Sequence, residues 1–229
     1  MKKSLKLSVS TLLLVVLFIH SFAQQANYDI NFRPKNYQTL VEKFKAEPIK
    51  KDDFVFLGNS ITAGTDWSKL LDLPQAKQRG ISGDITYGVL ERLQEIIDGK
   101  PKKIFILIGI NDISRNIPDS LILSNYKAII ERIRTGSKKT KIYFYTLLPV
   151  NASFAKFKNH YNKEEHILYL NSEIKKFASI KNVTVIDLYS KFLDNENRLK
   201  ADLTYDGLHL LPTGYQVWKQ VLEDGGYLK

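Results

Sequence analysis

The chain has 229 residues, 44% hydrophobic and 25% charged, with no cysteine and a formal charge of +10. A chain of this length can build its own core without disulfides, and the lack of cysteine excludes a lipoprotein anchored through an N-terminal cysteine. Lys2, Lys3 and Lys6 account for three of the ten charges; the remaining +7 is dispersed in pairs such as Lys50-Lys51 and Lys138-Lys139, with no aromatic-basic RNA motif or helix-turn-helix pattern, so it reads as solvated surface and argues against a nucleic-acid partner.

From the N-terminus, the three lysines precede an apolar run at 12–19 and a small-x-small site at Ser21-Phe22-Ala23. This is the pattern of an export signal spanning 1–23, too short in its apolar part for a membrane span. It predicts a protein exported to the periplasm or secreted, with no stable membrane anchor. Residues 24–229 then read as a single domain.

A helix is expected at 36–45, outside the main body. Unbroken apolar runs at 54–57, 104–108, 142–148 and 183–188 read as strands buried on both faces, and 77–81 as a weaker one. Amphipathic patterns at 86–97, 120–134, within 164–180 and at 213–222 read as helices; Val89, Leu90, Leu93, Ile96 and Ile97 share one face of the first. The alternation predicts βαβ units and a three-layer α/β/α sandwich. In such a sheet ligands sit beyond the carboxyl ends of the strands, which places Ser60, Gly83 and Asn111 on one rim.

Ser60, in GNSIT, is a candidate nucleophile, and a serine hydroxyl needs a base to take its proton. Taken alone it reads first as the N-cap of a helix over 61–71, a role compatible with the other. His209, in DGLHL, is the candidate base. Asp206, three residues earlier with Gly207 between, can turn its carboxylate to Nδ1 and hold the imidazole, although DGLH could also be a simple turn. The other mature histidines, His160 and His166, lie in a polar stretch that reads as surface. Gly83, in SGDIT, and Asn111, in GIND, are candidate donors to a developing oxyanion.

No HExxH spacing, P-loop, dinucleotide GxGxxG or G-x-S-x-G elbow is present, so no metal or cofactor is expected. The long connection 150–166 carries Phe154, Phe157 and Tyr161 among amides and lysines. These aromatics could stack on a sugar ring, or could simply pin the loop to the domain.

Together, GNSIT, RGISGDIT, GIND and DGLHL resemble the four motif blocks of the SGNH (GDSL-type) esterases and acylhydrolases, over nearly the whole expected mature chain, from Phe54 to Trp218. The resemblance implies a flavodoxin-like fold with a five-stranded parallel sheet. It implies Ser60 as nucleophile, His209 as base and Asp206 as its support, with an oxyanion hole from the N–H groups of Ser60 and Gly83 and the side chain of Asn111. Asn59 stands where the family has aspartate, a position that is not the triad carboxylate. The chain is most similar to the branch containing platelet-activating-factor-acetylhydrolase-like proteins and bacterial carbohydrate acetylesterases. The expected function is hydrolysis of short acyl esters, acetyl above all, on a small molecule or glycan. A lysophospholipase or thioesterase, and a non-catalytic carbohydrate-binding descendant, are the alternatives.

Overall fold

The computed structural model describes residues 28–229. The expected export signal lies outside them. The strands are β1 (Phe54–Gly58), β2 (Ala76–Gly80), β3 (Lys103–Leu107), β4 (Lys141–Tyr145) and β5 (Val183–Ile186), all parallel, in the order β2-β1-β3-β4-β5. The helices are α1 (Tyr37–Ala46), α2 (Ser60–Ala63), α3 (Trp67–Leu71), α4 (Thr86–Glu91), α5 (Leu93–Gly99), α6 (Ile110–Ser114), α7 (Asp119–Gly136), α8 (Glu164–Lys176), α9 (Tyr189–Phe192) and α10 (Pro212–Asp224).

Alternation along each strand gives the sheet two apolar faces. On one, Phe56 stacks between Trp67 and Phe105, at 4.1 and 4.8 Å between ring centroids, and Tyr143 continues the stack 4.6 Å beyond Phe105. Trp218 of α10 closes this layer, edge-on to Tyr145 at 5.0 Å. On the other face Phe144 meets Tyr126 of α7 at 4.9 Å and Phe177, just past α8, at 5.6 Å. Helices thus cover both faces, and the architecture is the expected three-layer α/β/α sandwich with a five-stranded parallel sheet. Helix α1 lies apart, its Tyr37, Val41 and Phe44 packed on Ile81.

Several elements end earlier than their apolar patterns. The pattern at 142–148 continues past β4, but both backbone groups of Leu147 are taken by the Asn171 side chain of α8, at 2.6 and 3.0 Å, in place of a neighbouring strand. The pattern at 86–97 forms two helices, parted at Arg92, whose side chain turns beneath the sheet rim. The pattern at 61–71 is likewise divided, into α2 and α3.

Register decides where the loops go. Gly58 pairs with Gly80 on one side and with Leu107 on the other, so three neighbouring strands end at one level. The chain winds outward from β1 to β2 in one direction and from β3 through β4 to β5 in the other. The crevice between β1 and β3 is therefore the topological switch point, and the loops carrying Ser60 and Asn111 open directly above it.

Candidate active site

Ser60 is the first residue of α2 and is half-buried. It is not the cap. Asn59 is, its Oδ1 accepting from Ile61 N–H at 3.0 Å, which leaves the Ser60 hydroxyl free. The departure from the usual Gly-Asp-Ser therefore keeps the capping oxygen and removes a buried charge, since Asn59 is 1% exposed. The Ser60 Oγ lies 2.9 Å from His209 Nε2.

His209 is held in the DGLH turn. Its Nδ1 lies 2.7 Å from Asp206 Oδ2, and the other carboxylate oxygen accepts the N–H groups of His209 and Leu208 at 2.7 and 3.0 Å. Burial alone would raise the Asp206 carboxyl, but these donors outweigh it and hold the group below the usual carboxylate range. Thr204 closes the turn, accepting from Gly207 N–H and donating to the His209 carbonyl. Gly207 sits at φ +83°, and a Cβ there would come within 2.2 Å of the Asn151 carbonyl, so only glycine fits.

The two other loops bring Gly83 and Asn111 to the same rim. Gly83 adopts φ +82°, again a conformation that favours glycine. Among the described residues no acceptor takes the N–H of Ser60 or of Gly83. One hydrogen of the Asn111 carboxamide goes to the Asp84 carbonyl at 2.9 Å, leaving the other available. The Gly83–Asp84 turn is anchored from below: Asp84 pairs with Arg92 at 2.9 Å, both fully buried, and Arg92 also donates to the carbonyls of Arg79 and Gly58. One guanidinium so ties the ends of β1 and β2 to the turn. Asp112, beside Asn111, accepts the N–H and hydroxyl of Thr86, and Asn125 donates to that hydroxyl. Burial pushes the Asp112 carboxyl up to about 7, against the Thr86 donors that favour its ionised form.

Two further residues at the site are missed by the sequence reading. His160, expected at the surface, is partly buried, with Nε2 3.2 Å from Asn111 Oδ1. Burial, and then the neighbouring positive groups, push its pKa down to about 4, so it is neutral at ordinary pH. Tyr205 is 58% exposed and stacks on the His209 ring, with 5.9 Å between centroids. His160 lies in a polar stretch without periodicity. Tyr205 had one available clue: an aromatic immediately before Asp206.

The three loop aromatics divide. Phe157 is half-buried, its ring 5.1 Å from His209 and roughly perpendicular to it. Tyr161 follows the second of its two readings and pins the loop, not a sugar: it is 6% exposed, and its hydroxyl donates to the Asp206 carbonyl while accepting from Phe157 N–H. It braces the turn from behind. Phe154 packs near Gly207, with its Cβ 3.1 Å from where a side chain at that glycine would start. Among the described residues no cluster of three or more His, Cys, Asp or Glu could hold a metal ion, and no helix is long and apolar enough to cross a membrane.

A parallel α/β/α sandwich whose switch point holds a serine, a histidine and an aspartate in hydrogen-bonded series is the architecture of a serine hydrolase. The chain belongs to the GDSL-like lipase/acylhydrolase family, whose model matches residues 56–217, and it is a carboxylic-ester hydrolase. Among solved structures it is similar to a Streptococcus pneumonia protein provisionally called a platelet activating factor, at 27% identity and a TM-score of 0.77, over 97% of this chain and 100% of that one. It is also similar to a protein of Bacteroides fragilis provisionally called an acylhydrolase, at 25% identity and a TM-score of 0.70, over 87% and 98% of the two chains. A GDSL-like lipase of Bacteroides thetaiotaomicron shares the fold at 24% identity and a TM-score of 0.71, over 83% and 96%. No protein of curated function matches it by sequence.

Proposed function

We propose that this protein is an exported serine esterase that removes short acyl groups, acetyl above all, from carbohydrates. Ser60 is the nucleophile, His209 the base and Asp206 its support. The N–H groups of Ser60 and Gly83 and the Asn111 carboxamide form the oxyanion hole. The observation that carries this reading is the unbroken series from Ser60 Oγ to His209 Nε2 at 2.9 Å and from Nδ1 to Asp206 at 2.7 Å.

With Nδ1–H donating to the Asp206 carboxylate, Nε2 is left as the acceptor for the Ser60 proton. As Oγ attacks the ester carbonyl, that proton passes to Nε2, and the carbonyl oxygen becomes an anion facing the three donors. Collapse breaks the bond to the alcohol, which leaves with the proton from His209, and the acyl group remains on Ser60. Water then repeats the sequence: His209 takes its proton, hydroxide adds to the acyl carbon, and the acid departs as Ser60 recovers its hydrogen.

The preference for a polar alcohol rests on the rim. Tyr205 offers an exposed aromatic face beside His209, Phe157 presents a second ring, and the loop around them is rich in amides and lysines. The leader at the N-terminus supports export to the periplasm or beyond. A chain-length series of p-nitrophenyl esters tests the reading: activity is expected with acetate and to fall with longer chains, and to vanish in Ser60→Ala. Activity that climbs to C8 or beyond points to a lysophospholipase instead.

A further inference from the structure

Beside the catalytic series lies an open cleft of about 1080 Å³, lined by Tyr28, Arg115, Asn116, Phe157, Lys158 and His160 among others. It adjoins the reaction centre through two of its lining residues. The His160 ring that lines it touches Asn111, and the Phe157 ring that lines it flanks His209.

The cleft is positively charged. Arg115, Lys156 and Lys158 face it against a single carboxylate, Asp29. Among the described residues neither lysine is ion-paired. Arg115 stands out further. Among the described residues it is the one arginine whose guanidinium has neither a hydrogen-bonded nor an ion-paired acceptor; Arg33, Arg79, Arg92, Arg132, Arg134 and Arg198 all have one. Its guanidinium carbon lies 3.1 Å above the Phe32 ring centre, so the group is oriented by stacking while its N–H edge stays unused. A stacked guanidinium with a free edge is suited to a carboxylate, which it can grip through two parallel hydrogen bonds.

Position relates this charge to the chemistry. Arg115 follows Asn111 by four residues, and its N–H donates to the Asn111 carbonyl at 3.2 Å. The two side chains therefore leave one face of the same turn, roughly 5–6 Å apart at their bases. That separation is on the scale of one monosaccharide ring.

We propose that this cleft is a subsite for an anionic group on the alcohol portion of the substrate, so that the ester cleaved is an acyl ester of an acidic saccharide, its carboxylate held by Arg115 and supported by Lys156 and Lys158. The proposal rests on the reading of Ser60, His209 and Asp206 as the reaction centre. A phospholipid would also bring an anion, but the walls around Arg115 are amides, lysines and single aromatic rings, without a continuous apolar groove for an acyl tail.

The experiment compares three acetyl esters on the wild-type protein and on Arg115→Ala: an acetylated uronic acid, its neutral methyl ester, and an acetylated glycerophosphate. The quantity read is the ratio of kcat/KM for the acid to that for the methyl ester, which cancels any general loss of folding or activity in the variant. The wild-type ratio is expected above one, and to fall roughly ten- to hundred-fold in Arg115→Ala, as the loss of a charge-assisted contact implies. Added salt should lower the wild-type ratio. An equal ratio in both proteins overturns the proposal, and so does a wild-type preference for the glycerophosphate over the uronate. Failure of the wild-type protein to hydrolyse p-nitrophenyl acetate would instead overturn the underlying assignment of the reaction centre.

Discussion

His160 Nε2 lies 3.2 Å from Asn111 Oδ1, and the Nδ2 of the same carboxamide lies 2.9 Å from the Asp84 carbonyl. The carbonyl of Asp84 can only accept, which orients the amide; its Oδ1 can only accept in turn, so the His160 Nε2 carries the proton and donates. Two contacts thus hold the Asn111 plane, leaving one N–H for an oxyanion.

Asn111→Ala is expected to lower kcat by roughly 10²–10³ with little change in KM, because the donor acts on charge that exists only in the transition state. His160→Ala, acting through Asn111, should cost about ten-fold in kcat, a fraction of the donor's own worth. His160→Gln keeps an N–H at a similar reach and should recover most of that loss. Equal turnover in His160→Ala and the wild-type protein would remove His160 from any positioning role.

The same histidine has a consequence for stability. Burial, then the positive charges of His209, Lys163 and Arg115, push its pKa from the usual 6.5 to about 4, with Asp206 opposing. Between those values the unfolded chain binds a proton that the folded chain refuses. The contribution is intact above 6.5 and is lost as pH falls toward 4. Asp112, raised by burial from 3.8 to about 7, acts in the opposite sense, favouring the fold at low pH and losing that advantage as pH rises through this window. Urea unfolding of the wild-type protein and His160→Gln at pH 4, 5 and 7 separates the two. The stability of the wild type relative to the variant should decline as the pH is lowered, and a constant difference would contradict the shift.

Asp206→Asn should lower kcat by about 10⁴, the scale expected when an imidazole loses the carboxylate that sets its tautomer. Both oxygens of Asp206 are occupied by donors, so a carboxamide must turn its NH₂ against either His209 Nδ1–H or the two backbone N–H groups. The variant should therefore also unfold at lower temperature, and steady-state kinetics with a melting curve read both effects.

Arg92→Ala should destabilise the fold by about 3–5 kcal/mol, since it leaves the Asp84 carboxylate buried without its partner. It also frees the carbonyls of Gly58 and Arg79, so the turn bearing Gly83 should loosen and activity fall with stability. Denaturant titration checks the first effect, and kcat at a temperature where the variant remains folded checks the second. A loss below 1 kcal/mol would mean that the ion pair carries little of the rim.

Local pattern was enough to read the strand runs, the layer arrangement and the spacing of Ser60, Gly83, Asn111, Asp206 and His209, because each depends on residues close in sequence: apolar runs make buried strands, and strand ends in a parallel sheet face one rim. It could not set where those runs stop. The end of β4 depends on Asn171, and the break at Arg92 coincides with a guanidinium that reaches Asp84 and Gly58. Nor could it decide between surface and site for His160, or between stacking and bracing for Tyr161, since each role is set by a partner far along the chain: Asn111 in one case, Asp206 in the other. The physical reason is range. Periodicity and capping act over a turn or two of backbone, whereas the hydrogen bonds that orient a donor, and the burial that keeps a histidine neutral, exist only after distant loops have been brought to the same edge of the sheet.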